Sequence, residues 1–217
     1  MSPVSTACVA ASVVALSGAA WGGTLSIDSR MGGASFLASD FSGVVMDDWT
    51  TPPGAGSFFI DEGVGTPSML TGSFASMAFT YMPGASITGG AALDGFTLTG
   101  GGHVEGLLLF DAFFTVTSSF DYSWSTVVFD ADPGTSAVIE LTGPGGLVST
   151  GAGTFDPGVY HLAITLSMVT DPPPGPAGFS THVLFELIIP APGSALLLGA
   201  MSLAGSRRRR RAPAGRQ

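Results

Sequence analysis

The sequence predicts an all-β body, an antiparallel β-sandwich or jelly roll, and three observations carry that prediction. Short runs rich in Val, Ile, Phe and Thr recur through the middle of the chain, each closed by Gly or Pro, which is how strands and their turns read. Two segments alternate apolar and polar residues with the period of a half-buried strand. No stretch of the body carries the 3.6-residue apolar period of a long amphipathic helix.

Taken in order, Met1–Gly22 reads as a secretory signal helix. Its apolar stretch runs from Ala7 to Leu16, and Ser17, Gly18, Ala19, Ala20 and Gly22 supply the small residues of a cleavage site. Cleavage is expected after Ala20 or Gly22. The only cysteine, Cys8, lies inside this segment, so the mature body has no disulfide and no cysteine-based metal site.

Residues 23–189 read as an extracellular domain, large enough to bury a core without covalent staples. Its candidate strands are Thr24–Ile27, Gly43–Met46, Ser57–Ile60, Met69–Tyr81, Ala91–Leu98, Val104–Phe110, Phe113–Tyr122, Ser125–Asp130, Ala137–Leu141, Val159–Met168 and Phe179–Ile189. In Tyr160, Leu162, Ile164, Leu166 and Met168 every second side chain is apolar, with His161, Ala163, Thr165 and Ser167 between them. One face of that strand meets a core and the other meets water. Phe114, Val116, Phe120, Tyr122 and Trp124 continue the same parity, broken only at Ser118. Many short strands with short turns favour a sandwich.

Gly143-Pro144-Gly145-Gly146 and Asp156-Pro157-Gly158 are turns, because proline presets φ at the first corner and glycine accepts a positive φ at the next. The order Ala137–Leu141, Gly-Pro turn, Leu147-Val148, then Pro157-Gly158-Val159-Tyr160 resembles the closing hairpins of bacterial extracellular jelly-roll domains of the prepeptidase C-terminal type. In such domains this region is scaffold. Asp171-Pro172-Pro173-Pro174-Gly175-Pro176 cannot pair inside a sheet and is read as an exposed loop before the last strand.

Residues 190–217 have another logic. Pro190-Ala191-Pro192-Gly193 precedes the apolar segment Ser194–Gly205, and Arg207, Arg208, Arg209, Arg210 and Arg211 follow it. A bilayer core takes about 20 apolar residues, so this segment is short and reads as a transient or processed span. The arginines resist crossing and set the orientation, body outside and arginines on the cytoplasmic side. These three parts, in this order and spacing, resemble a PEP-CTERM sorting tail, with Ala191 where that family has a central glutamate. The resemblance implies a transmembrane sorting helix, passage through the inner membrane, processing by an exosortase-type enzyme, and association with exopolysaccharide.

Charge narrows the partners. All 16 acidic residues lie between residues 23 and 189, where Arg30 is the one base, leaving the body at −15 while the whole chain is at −9. Nucleic acid and anionic lipid are poor partners for such a body; cations, and polymers bridged by them, suit it better. The chain has no Lys and no Asn, which a GC-rich genome would also produce, and which rules out N-glycosylation sequons.

Chemistry-bearing patterns are few. His103, His161 and His182 are far apart and show no metal-ligand spacing. No nucleophile elbow, P-loop or His-Glu-x-x-His motif appears. The carboxylate pairs are Asp47-Asp48, Asp61-Glu62 and Asp130-Ala131-Asp132. Asp130 and Asp132 open like a calcium loop, since loop carboxylates suit that ion, but Pro133 and Thr135 then depart from its pattern. Trp49 follows Asp47 and Asp48 and precedes Thr50-Thr51-Pro52-Pro53, a loop-like context in which an exposed indole beside carboxylates would stack on sugar. Trp124 continues an apolar face and reads as core.

The sequence therefore points to an exported, non-enzymatic envelope or matrix protein. Its sorting residues are Pro190, Ala191, Pro192, Gly193 and Arg207–Arg211, and no resident cofactor is expected beyond calcium. The alternative is a carbohydrate- or calcium-binding surface module built on Trp49, Asp47 and Asp48. A third class is a hydrolase of matrix polymer, which would need two carboxyls flanking a sugar.

Overall fold

The computed structural model describes residues 25–51, 54, 56–98, 100–130, 132–170 and 175–189, with the backbone alone for Asp130. The predicted signal segment Met1–Gly22 and the tail from Pro190 onward, including Arg207–Arg211, lie outside the described residues. Among the described residues every regular element is a strand: β1 (Leu25–Asp40), β2 (Gly43–Thr50), β3 (Phe58–Gly65), β4 (Thr71–Met82), β5 (Ser86–Thr97), β6 (His103–Val116), β7 (Phe120–Asp130), β8 (Thr135–Gly143), β9 (Gly146–Leu147), β10 (Gly151–Phe155), β11 (Gly158–Val169) and β12 (Ala177–Ile188).

These strands form two six-stranded sheets, one in the order β2-β1-β6-β11-β8-β9 and the other β10-β7-β12-β5-β4-β3. Every pairing is antiparallel. The sheets enclose one apolar core. Phe79, Phe110, Phe114, Leu108, Leu162 and Leu166 are fully buried at its centre, each contributing roughly 1.5–3 kcal/mol relative to exposure. Ring contacts link the sheets: Phe79 to Phe110 at 5.3 Å between centroids, and Phe155 to Tyr160 at 4.4 Å.

The β11 alternation is as expected: Tyr160, Leu162, Ile164, Leu166 and Met168 are all buried. The segment Phe113–Tyr122 differs from its expected single strand. Phe113–Val116 closes β6 in one sheet and Phe120–Tyr122 opens β7 in the other. Both strands aim the same parity of side chains at one core, so the alternation survives a crossing that the sequence pattern does not mark. The first strand is longer than Thr24–Ile27. It runs to Asp40 and changes phase at a bulge between Ile27 and Ser29, which aligns Ala34, Phe36 and Ala38 with the core.

Strand glycines are tolerated because rings cover them. Gly32 faces Phe110, Gly63 faces Phe74, Gly72 faces Phe96, Gly89 faces Phe185 and Gly153 faces Tyr122 directly across their ladders. In each case an added Cβ would run into that ring. A strand glycine costs about 0.5–1 kcal/mol in chain entropy, and a ring laid over it recovers packing.

Candidate functional site

The two ends of the sandwich are built differently. At one end β2 and β3 are the edge strands of their sheets, and at the other β9 and β10 are. An edge strand exposes unpaired backbone groups and invites a further strand, a hazard blunted by charge and by short length. β9 is only 2 residues long and β10 only 5. β2 instead carries Asp47 and Asp48, and β3 carries Asp61 and Glu62. Two of the three carboxylate pairs singled out in the sequence therefore protect edges.

Trp49 lies on β2 and not in a loop. The Asp-Asp and Thr-Thr context reads as irregular, but an edge strand has one ladder to satisfy and accommodates both. The register sets Trp49 opposite Ala34, Asp48 opposite Ser35 and Asp47 opposite Phe36. Directly paired residues share a face, so Trp49 and Asp47 face inward with buried Ala34 and Phe36, and Asp48 faces out. The two carboxylates point apart. Asp47 Oδ1 also accepts the Asp48 backbone N–H at 2.8 Å. Trp49 is half-buried against the core, and its Nε1 is buried without an acceptor.

A second unpartnered group belongs to the same end. Beyond the bulge Arg30 reaches the inner face of β1, with its guanidinium carbon 4.2 Å from the centre of the Phe58 ring on β3. Its Nε and Nη1 are buried without acceptors, and desolvation pulls its pKa below the ordinary arginine value. Among the described residues the ion pairs all involve histidine, so the one base of an acidic body pairs with no carboxylate. A lone base amid carboxylates would be expected to pair, and only the structure shows that it does not.

The third carboxylate pair is divided. Asp130 is the last residue of β7, while Asp132 lies in the following turn and accepts the Ser180 N–H through Oδ2 at 2.8 Å. Among the described residues no three His, Cys, Asp or Glu side chains converge as metal ligands do.

The three histidines stay apart, as their sequence spacing implies. What the sequence does not reveal is that each finds a carboxylate on the sheet surface. His103 Nε2 lies 2.8 Å from Glu105, and His161 Nε2 lies 2.6 Å from Asp111 while its ring stacks on Phe113. His182 Nε2 lies 3.6 Å from Asp94 and contacts Ser180 Oγ. Ser180, His182 and Asp94 carry the residue types of a catalytic triad, but Asp94 sits on the Nε2 side of the ring and on Ser180 Oγ itself. A triad places its carboxylate on the other ring nitrogen.

An open cleft of about 360 Å³ lies between β7 and β8, walled by Trp124, Val128, Ala137, Ile139, Leu141 and Val148, with Glu140 as its charged residue. Trp124 is buried at 3% exposure, in keeping with a core role.

Asp40 forms the densest polar knot. Its Oδ1 accepts the Ser42 N–H at 2.7 Å, and its Oδ2 accepts the hydroxyls of Thr66 and Ser68 at 2.7 and 2.5 Å. Desolvation alone would raise its pKa, but the hydrogen bonds from Ser42, Ser68 and Thr66 outweigh it and hold the carboxyl well below the usual carboxylate range. The knot joins the β1–β2 turn to the β3–β4 connection.

No known family, curated protein or solved structure matches the chain.

Proposed function

We propose that this is an exported, non-enzymatic β-sandwich protein of the bacterial envelope or extracellular matrix. It is delivered through the inner membrane, processed at Pro190–Gly193 by an exosortase-type enzyme, and associated with exopolysaccharide. One observation carries the reading: the ordered succession of Pro190-Ala191-Pro192-Gly193, apolar Ser194–Gly205 and Arg207–Arg211. Cutting after Gly22 and at Pro190 would leave every described strand whole, since these lie within Leu25–Ile188. The repeated crossing between sheets supports a jelly-roll winding of the body. Deleting Arg207–Arg211 is expected to change the cellular fraction and mature mass of the protein in its native host; an unchanged location and mass would contradict the sorting role.

A second reading is a carbohydrate- or calcium-binding surface module using Trp49, Asp47 and Asp48. It is favoured by the indole N–H of Trp49, buried without an acceptor on an edge strand. Asp130 and Asp132 remain the alternative calcium residues. Calorimetry on the intact protein with glycans and with calcium tests this reading.

A further inference from the structure

We propose that the rim formed by β1, β2 and β3 is a binding site for a neutral oligosaccharide, with Arg30 and Trp49 as its hydrogen-bond donors and Asp47 as an acceptor. This rests on the second reading above and extends it to Arg30.

Two separate side chains on one face of neighbouring strands hold N–H groups out of water without acceptors: Arg30 through Nε and Nη1, and Trp49 through Nε1. A buried donor without a partner destabilises the fold until an acceptor arrives. Arg30 lies in the part of β1 that β2 leaves uncovered, and Trp49 lies one residue inside the end of the β1–β2 ladder. β2 pairs with β1 only from Gly33 onward, and the last bond on that side runs from Thr51 N to Gly32 O. Leu25–Met31 of β1 thus have their ladder partner only in β6. The Phe58 ring fixes the guanidinium from below, so the donors are oriented before any ligand binds.

The surrounding charge selects among ligands. Asp47 shares the inner face with Trp49, and on β3 Glu62 shares the face of Phe58 while Asp61 lies on the other side of the strand. These carboxylates repel an anionic ligand, so Arg30 is poorly placed to capture a uronate or phosphate despite its charge. A neutral sugar chain satisfies both sets of groups: its ring and hydroxyl oxygens accept from Arg30 and Trp49, and its hydroxyl hydrogens donate to Asp47. Arg30 and Ala34, the partner of Trp49, are roughly 13 Å apart along β1 at about 3.3 Å per residue. A chain of sugars can span backbone positions this far apart.

The test titrates the full-length protein with neutral hexasaccharides of glucose, mannose and galactose, and with hexagalacturonate. The side-chain N–H resonances of Arg30 and Trp49 are followed, assigned by Arg30→Lys and Trp49→Phe. The expected result is a saturable shift of both resonances with at least one neutral hexasaccharide, and weaker binding of hexagalacturonate. Arg30→Gln should weaken the neutral sugar by about tenfold or more, and Arg30→Lys should not restore it. Should Arg30→Gln fail to fold, Trp49→Phe, which keeps a ring and removes the donor, must show the same loss. Binding that moves neither resonance and ignores both substitutions would overturn this site while leaving a glycan site elsewhere. Tighter binding of hexagalacturonate would overturn the choice of a neutral ligand. No binding of any hexasaccharide would overturn both the site and the reading beneath it.

Discussion

At Gly143 the ring of Tyr160 occupies the space a Cβ would need, and that ring cannot easily give way. Tyr160 is 4% exposed and donates its hydroxyl to Asp156 O at 2.9 Å. Gly143→Ala should therefore cost about 1–3 kcal/mol, the usual effect of overpacking. Gly145→Ala, two residues on in open space, should stay within about 0.5 kcal/mol of the parent. Urea unfolding of the two variants separates them, and equal midpoints would show that the ring is not holding that position. Asp40 makes a different kind of prediction. Its folded pKa is depressed, so the stability it contributes is complete above the unfolded aspartate value of about 3.9 and is lost as pH falls below that value. Asp40→Asn should unfold at lower urea at neutral pH and lose less stability than the parent as the solution is acidified below about pH 4. Parallel pH profiles for the two proteins would remove Asp40 from the account.

Strands with self-contained patterns, such as β11, are legible in the sequence because alternation and a Pro-Gly turn report local geometry. β10 is not. Gly151-Ala152-Gly153-Thr154-Phe155 has no apolar run, and its one large side chain acquires meaning mainly from partners on other strands. Phe155 contacts the rings of Phe114, Phe120, Tyr122 and Tyr160, with centroids 6.2, 5.5, 4.1 and 4.4 Å away. Phe155→Ala should cost about 3–5 kcal/mol and loosen β10 from β7. A loss under about 1 kcal/mol in thermal or urea unfolding would mean that β10 is held by its backbone alone. The second half of β1 escapes notice because Gly32-Gly33 looks like a turn, whereas the bulge before it and Phe110 across from it keep the chain extended. The same limit governs the candidate site. Asp47, Asp48 and Trp49 stand out by type, but which of them face inward depends on register against Ala34, Ser35 and Phe36. Arg30 becomes informative only once Phe58, distant in sequence, is found beneath it.

As a whole, the molecule is a strongly acidic sandwich whose described strands run from Leu25 to Ile188. Its self-repulsion favours solubility, and short or charged edge strands discourage sheet growth at both ends. The most direct measurement is the intact mass and terminal sequence of the protein recovered from each fraction of its native host. A released or envelope-bound chain beginning near Trp21 or Gly23 and ending near Pro190 is expected. A membrane-bound chain that keeps Arg207–Arg211 would contradict it, and would make the tail a permanent anchor.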